Sequence, residues 1–222
     1  MPSEAANPSA RKIQLLEAAY AYALGHGLTS LSLRPLAEAI NTSTRVLMFL
    51  FGNKDGLVRA LLERARADEL VLLVDLRRAG HPMGLTRAAG QVWTWLAADE
   101  HRALLRLWAE AYTRSLVEPD GPWAGFAKAT VDDWLDVLAA CQPQPERDSE
   151  AGVTRRTLVL AVLRGALLDL LATQDERRVS AAVHQQLTLL GHEDGAPGEG
   201  GWSPGPGGPS SPSHTPLPRG GA

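Results

Sequence analysis

Apolar residues recur along this chain at the spacing of amphipathic helices. Residues 32–54 carry the clearest pattern, and a first short helix is predicted there from apolar positions at i, i+3, i+4 and i+7: Leu33, Leu36, Ala37 and Ile40. Asn41 tolerates the left-handed backbone that often ends a helix. Thr42-Ser43 then supplies a cap for a second helix over residues 44–51. The pattern therefore predicts two short helices joined by about three residues, which is typical of a helix-turn-helix.

The second helix of such a motif lies in the major groove of DNA. Leu47 and Phe51 are four residues apart and can pack on the first helix, so the opposite face is left for DNA. Arg45 can bond O6 and N7 of a guanine together, whereas Met48 and Phe49 can touch only thymine methyls or join the core. We predict DNA contacts from Arg34, Thr42, Ser43, Thr44, Arg45, Val46, Met48, Phe49 and Lys54.

Helical periodicity continues on both sides of this motif. A helix is predicted from Pro8 to the Gly25-His26-Gly27 stop. Another begins at Lys54, with Asn53 as its cap, and keeps its apolar stripe through Leu72 and Leu76 to Gly80. A helix of about 26 residues spans roughly 40 Å, which is too long for a three-helix domain alone. It is either a link between two layers or a plain core helix.

Five of the six tryptophans lie in the region from about Leu85 to Gly191. Helices are predicted there over 85–98, 100–116, 123–141, 153–172 and 174–190. Pockets between helices are lined by aromatic groups with a few polar ones. We therefore expect a small, largely apolar ligand to contact some of Gln91, Trp93, Trp108, Tyr112, Trp123, Phe126 and Trp134. The alternative is that these are ordinary core residues.

The segment from about Arg11 to Leu62 resembles the DNA-binding domain of the tetracycline-repressor (TetR) family of transcription regulators. The resemblance lies in Ala18-Ala19, Gly27, the LSLRPLAEA run of residues 31–39, Ser43, Leu47, Phe51-Gly52-Asn53-Lys54 and Leu57. The family pattern usually has glycine where this chain has Asn41, and aromatic and histidine residues where it has Met48, Phe49 and Leu50. The resemblance implies DNA binding, with fewer DNA contacts than the family pattern would provide and with more dependence on the cationic and hydroxyl side chains.

The resemblance also implies how the remaining helices function. The long helix would connect the DNA-binding domain to a ligand-sensing core. The last two helices would form a four-helix interface between two subunits, and the DNA site would then be a near-palindrome. Candidate dimerisation residues mix small and large side chains: Leu158, Ala161, Val162, Gly165, Leu168, Val179, Val183 and Leu187. Without the resemblance, an intramolecular bundle explains the pattern equally well.

Composition adds few constraints. The net charge of −3 does not indicate nucleic acid, but the first 60 residues carry six Lys or Arg against four Asp or Glu. Cys141 is the single cysteine, so no intramolecular disulfide is expected, and no apolar run is long enough to cross a membrane. We expect a cytoplasmic protein without a cofactor. The six histidines have no metal-ligand spacing and no phosphate-binding glycine loop occurs, so catalysis is not expected.

These observations predict an all-α protein with four parts. They are a disordered N-terminus (1–8), a three-helix helix-turn-helix DNA-binding domain (9–58), a helical ligand-binding and dimerisation domain (59–191) and a disordered tail rich in glycine and proline (192–222). The predicted function is a homodimeric repressor that leaves double-stranded DNA when a small-molecule effector binds. Two alternatives are a helical ligand-binding or protein-interaction module with a degenerate DNA-binding domain, and a DNA-bound regulator without a ligand.

Overall fold

A computed structural model describes the backbone of residues 8–78 and 84–193 and the side chains of residues 9–68 and 84–191. The predicted N-terminal and C-terminal disorder and the stripe positions Leu72 and Leu76 lie outside the described residues or side chains. The described ranges contain ten α-helices and no strand, so the all-α prediction is confirmed. The helices are α1 (Pro8–His26), α2 (Leu33–Ala39), α3 (Thr44–Phe51), α4 (Lys54–Arg78), α5 (Leu85–Ala97), α6 (Arg102–Val117), α7 (Phe126–Cys141), α8 (Gln144–Arg147), α9 (Glu150–Thr173) and α10 (Glu176–Glu193).

The first three helices form a small bundle at one end. Asn41 has φ of 52°, in the left-handed region, and the chain turns there between α2 and α3. The Ser43 hydroxyl accepts a hydrogen bond from the backbone N–H of Val46 at 3.2 Å and caps α3. Leu36 and Leu47 are fully buried between the helices. The predicted helix-turn-helix is therefore present, with the predicted bounds of α3.

Helix α4 belongs to both ends of the molecule. Asn53 caps it, because its side-chain oxygen accepts a hydrogen bond from the N–H of Gly56 at 2.7 Å. Its N-terminal part contacts α1 and α3, and it also contacts α6 and α7. A helix of 25 residues thus connects the two layers, as one of the two sequence-based interpretations proposed.

The other helices pack into a second bundle in which α5 contacts α7, α9 and α10. Two helices of this bundle begin later than predicted because of the local backbone conformation before them. A short 3-10 turn (Asp99–His101) precedes α6, and Gly125, with φ of 74°, delays α7 until Phe126. Helix α8 was not predicted. No helix in the described part of the chain is long and apolar enough to span a membrane.

Candidate nucleic-acid interface and ligand cavity

The outer face of α3 is open to solvent. Thr44, Arg45, Met48 and Phe49 are exposed and lie on one side of the helix, and Phe49 is 83% exposed. Leu47 and Phe51 point into the bundle, as predicted. The structure therefore places a cation, a hydroxyl and two apolar side chains together on a protruding helix, which is the combination that base edges and thymine methyls can accept.

The predicted DNA-binding residues outside this face occupy the edges of the motif. Ser43 and Lys54 are exposed, and Thr42 and Val46 are partly buried. Arg34 is exposed on α2 and pairs with Glu38, its Nε lying 3.2 Å from the carboxylate. Because this pair is solvent-exposed it contributes little stability, and the Arg34 side chain can exchange Glu38 for a phosphate.

A polar cluster fixes α1 to α4 directly behind the helix-turn-helix. The Arg64 guanidinium donates to Glu17 at 2.6 Å and to Asp68, and it lies over the ring of Tyr20 with 4.9 Å to the centroid. Tyr20 donates its hydroxyl to Asp68 at 2.9 Å. Burial, followed by the hydrogen bond to Asp68, raises the pKa of Tyr20, and hydrogen bonds to Glu17 and Asp68 raise the pKa of Arg64. Both groups therefore keep their protonated forms.

Glu110 on α6 joins the second bundle to the loop that follows α1. Its carboxylate accepts hydrogen bonds from two successive backbone N–H groups, those of Leu28, at 2.9 Å, and Thr29. The carboxylate also packs against Gly27, where a Cβ atom would lie 3.1 Å from a carboxylate oxygen. Glu110 therefore provides a direct contact between α6 and the first bundle.

Two small apolar cavities lie inside the second bundle and share Leu105 and Trp108 in their walls. The first, of about 20 Å³, is lined by Leu96, Leu105, Trp108, Trp134, Leu160, Leu163, Arg164 and Leu167. The second, of about 10 Å³, is lined by Ala65, Trp95, Leu104, Leu105, Trp108 and Phe126. Each has room for about one water molecule, so a ligand enters only if side chains move.

Trp108, which lines both cavities, carries an unmet hydrogen-bond donor. Trp108 is buried, and its Nε1 has no hydrogen-bond partner among the described residues. A buried donor without an acceptor costs about 1–3 kcal/mol. Its ring lies 5.0 Å from that of Tyr112, whose hydroxyl accepts from Arg164 at 3.3 Å. Trp108, Tyr112 and Arg164 thus form a continuous set of contacts along one side of the first cavity.

The other predicted ligand-binding residues are not gathered around these cavities. Gln91 is exposed on α5. Trp93 is buried against α10, where its indole donates to the Ser180 hydroxyl at 3.0 Å. Trp123 is buried but lines neither cavity. The structure therefore brings together Trp108, Trp134, Phe126 and, through Trp108, Tyr112, whereas Gln91, Trp93 and Trp123 have other surroundings.

The predicted dimerisation residues fall into two groups. On α9 the members Leu158, Ala161, Gly165 and Leu168 are exposed on one face, and Val162 is partly buried beside them. A Cβ atom at Gly165 would have no atom of the described residues within 4 Å, so none of them covers this position. On α10, Val179, Val183 and Leu187 are buried within the chain itself. This corrects their predicted place on the dimer surface: α10 packs that stripe onto α5 and α9.

The whole fold is similar to those of solved bacterial regulators. A transcriptional regulator from Rhodococcus sp. Rha1 superposes with a TM-score of 0.66 over 82% of this chain and 96% of that one, at 21% identity. A TetR-family regulator from Cytophaga hutchinsonii gives 0.67 over 86% and 98%, at 15% identity. The multidrug binding protein EbrR, solved with imidazole, gives 0.59 over 82% and 90%, at 22% identity.

The chain has the fold of the TetR-family regulators. This confirms, at the level of the fold, the resemblance found in residues 11–62, and it extends the likeness to the second bundle. No protein-family model matches the sequence, and no curated protein matches it.

Sequence reasoning missed the residues that connect the two parts of this TetR fold. Glu110 lies more than 80 residues from its partners Leu28 and Thr29, and Arg64 joins Glu17 across 47 residues. Both are ordinary charged positions on predicted helices. A partial signal existed for Arg64, because Asp68 lies four residues later on the same predicted helix, within reach of an ion pair.

Proposed function

We propose that this protein is a homodimeric transcription repressor that binds a near-palindromic DNA site through α3 and leaves it when a small molecule enters the second bundle. The observation that carries the proposal is the exposed α3 face, formed by Thr44, Arg45, Met48 and Phe49 on a TetR fold. Ser43 fixes the start of this helix, and the cluster around Arg64 holds α1 against α4 behind it.

Arg45 is the base-contacting residue in this proposal. It is exposed near the N-terminus of α3, and a guanidinium can donate to two acceptors of one guanine. Met48 and Phe49 add contacts with thymine methyl groups. Arg34 and Lys54 contact phosphates on either side, which positions the helix without selecting sequence. Specificity would therefore depend mainly on one cation and two apolar side chains.

The test is to select binding sites from a random duplex library with the full chain and to measure the selected sites across a salt series. We expect a near-palindrome with half-sites about 34–36 Å apart, and a steep loss of affinity with salt. Arg45→Ala should lower discrimination at one base position of each half-site by about 1–3 kcal/mol. Arg87→Ala, an exposed arginine on α5, is the matched control and should change nothing.

Release of the protein from DNA would be a shift between two conformational states of the molecule. The cavities around Trp108 are too small for a ligand, so binding requires rearranged walls. Trp108 and Glu110 share α6, and Glu110 holds the loop after α1. A ligand that favours the rearranged state therefore also favours a displaced DNA-binding bundle, whereas one that binds both states equally would release nothing. EbrR, solved in complex with imidazole and with proflavin, shows a protein of this fold holding small molecules.

A second candidate function is a ligand-binding or protein-interaction module whose DNA-binding domain is degenerate. The exposed apolar side chains of Met48 and Phe49, 42% and 83% exposed, favour it. The same selection separates the two functions. Recovery of unrelated sequences, with no effect of Arg45→Ala, would support the module and contradict the repressor.

A further inference from the structure

The outermost ridge of α3 pairs a cationic side chain with a large apolar one. Arg45 and Phe49 are four residues apart, so they lie above one another on the same side of the helix. That side is opposite the one on which Leu47 and Phe51 are buried in the bundle. Arg45 is exposed, and Phe49 is 83% exposed. When a helix of this kind lies in the major groove, its outward ridge is the part that meets the base edges.

The side chains of α3 limit which bases this ridge can distinguish. Adenine is read by Asn or Gln and cytosine by Asp or Glu, and α3, over residues 44–51, contains none of these. The Thr44 hydroxyl can both donate and accept, so it distinguishes bases weakly. Two signals of the major groove remain. They are the paired acceptors of guanine, which Arg45 can bond, and the methyl group at C5 of thymine, which an apolar side chain can contact.

The charges around the ridge are complementary to duplex DNA. Helix α3 has no acidic residue, and the acid closest to it in sequence is Asp55 at the start of α4. Lys54 is exposed just after α3. The ammonium of Lys12, on α1, lies 5.4 Å from the centre of the Phe51 ring and so stands beside the end of α3. Phosphates bound by these cations would hold the base pairs against Phe49.

We propose that α3 recognises the C5-methyl group of a pyrimidine through Phe49, so that thymine or 5-methylcytosine is favoured opposite this side chain over uracil or unmethylated cytosine. The inference rests on the proposed function, because it requires α3 to bind duplex DNA, and it adds the chemical group that is recognised. A methyl group at C5 of cytosine projects into the major groove as that of thymine does. Methylation of cytosine at this position therefore strengthens binding.

The spacing of the two side chains places the methyl group near the guanine. Residues four apart are separated by roughly 6 Å along a helix, and successive bases of a strand by ~3.4 Å. The recognised pyrimidine is therefore about two base pairs from the guanine that Arg45 contacts. Removing one methyl group from water against the Phe49 ring increases affinity about fourfold.

The test compares duplexes that differ only in C5-methyl groups. In the near-palindrome recovered by the site selection, each pair of symmetry-related thymines is replaced in turn by uracil, which still pairs with adenine. The affinity of the full chain is measured by fluorescence anisotropy at one salt concentration. We expect a loss of about fourfold for each half-site at the thymine near the guanine, and no loss at thymines outside the half-sites. With cytosine at this position, 5-methylation should raise affinity by about the same factor.

Variants of Phe49 test whether this side chain makes the contact. Phe49→Ala should bind the thymine and uracil duplexes equally, and it should fold normally because so exposed a ring makes few contacts within the chain. Phe49→Leu keeps a large apolar side chain and should keep a preference for thymine. Leu116→Ala, at a leucine 67% exposed on α6, is the matched control and should keep the full preference.

Several outcomes would overturn the inference while leaving a sequence-specific DNA-binding protein. They are a selected site without thymine near the guanine, equal affinity of the wild type for thymine and uracil duplexes, and equal affinity for cytosine and 5-methylcytosine. A methyl preference that persists in Phe49→Ala would refute the assignment to this residue. Recovery of unrelated sequences in the selection would instead contradict the proposed function and this inference together. The two failures are therefore distinguished by whether a selected site exists.

Discussion

At the scale of single residues, Gly56 shows how closely α3 and α4 approach. A Cβ atom there would lie 2.0 Å from the carbonyl oxygen of Phe51, a distance that no real contact allows. At Gly90, inside α5, no atom of the described part of the chain lies within 4 Å of the corresponding position. A side chain is therefore excluded at Gly56 but has room at Gly90.

This contrast predicts opposite effects of the same substitution. Gly56→Ala should destabilise the protein by about 1–3 kcal/mol or more, because the backbone must move. Gly90→Ala should stabilise it by about 0.5–1 kcal/mol, because alanine favours the helix. Urea unfolding of both variants measures the difference. Equal effects would show that α4 does not begin against the end of α3 as described.

Tyr20 is a residue at which stability should depend on pH. Burial and the hydrogen bond to Asp68 raise its pKa above the ordinary value of 10.0. When folding raises the pKa of a group, that group stabilises the folded state fully at pH values below its pKa in the unfolded state. This stabilisation is lost as the pH rises above that unfolded-state pKa. Between pH 9 and 11 the wild type should therefore lose more stability than Tyr20→Phe. Tyr22→Phe, on the same helix, is the control and should behave as the wild type. Parallel losses in all three proteins would contradict the assigned environment of Tyr20.

At the scale of elements, α6 carries both cavity-lining residues and Glu110, which contacts the loop after α1. Glu110→Ala removes the acceptor for two backbone N–H groups of the loop after α1. We expect DNA affinity to fall roughly tenfold. A hydrogen bond to a charged acceptor contributes about 1.5–3 kcal/mol, and part of this free energy is recovered when water bonds to the exposed N–H groups instead. An effector should then cause a smaller further loss than in the wild type.

The matched control for this prediction is Glu100→Ala, whose carboxylate is exposed before α6. It should leave both DNA affinity and the response to the effector unchanged. If Glu110→Ala lowers only the free energy of unfolding and the DNA affinity is unaltered, Glu110 stabilises the loop without coupling the two bundles.

The elements themselves were predictable where their signals are local. Ser43 and Asn53 cap α3 and α4 as the sequence predicts, because a cap needs only residues within one turn. The start of α10 was less well predicted. The helix begins at Glu176 and not at residue 174, because Gln174 adopts a left-handed φ of 58° that separates α9 from α10, and Asp175 accepts a hydrogen bond from the backbone N–H of Arg178.

The contacts between elements were not predictable from one sequence. Gln142 is fully buried and bonds to Glu146, to the carbonyl of Gly152 and to Arg156, which fixes α7, α8 and α9 together. Periodicity identified the apolar stripe of α10 but not its partner. An apolar stripe that packs on α5 has the same spacing as one that packs on a second subunit. Only the three-dimensional structure therefore identifies Val183 as a core residue.

At the scale of the whole molecule, the exposed face of α9 is the surface on which the proposed dimer would form. Leu168 is 53% exposed there, in line with Leu158, Ala161 and Gly165. Small side chains beside large ones allow helices to approach closely. Two copies related by a two-fold axis would bury this face and place two α3 helices on one side of the assembly.

Leu168→Glu tests this arrangement, because a buried charge in an apolar interface costs several kcal/mol. We expect the variant to sediment as a monomer and to lose binding to the full near-palindrome far more than to a single half-site. Leu116→Glu, a leucine 67% exposed on α6, is the matched control and should remain a dimer with normal DNA affinity. A Leu168→Glu protein that stays dimeric would place the interface on another surface. If the wild type is itself monomeric at micromolar concentration, the two α3 helices must be brought together by DNA alone.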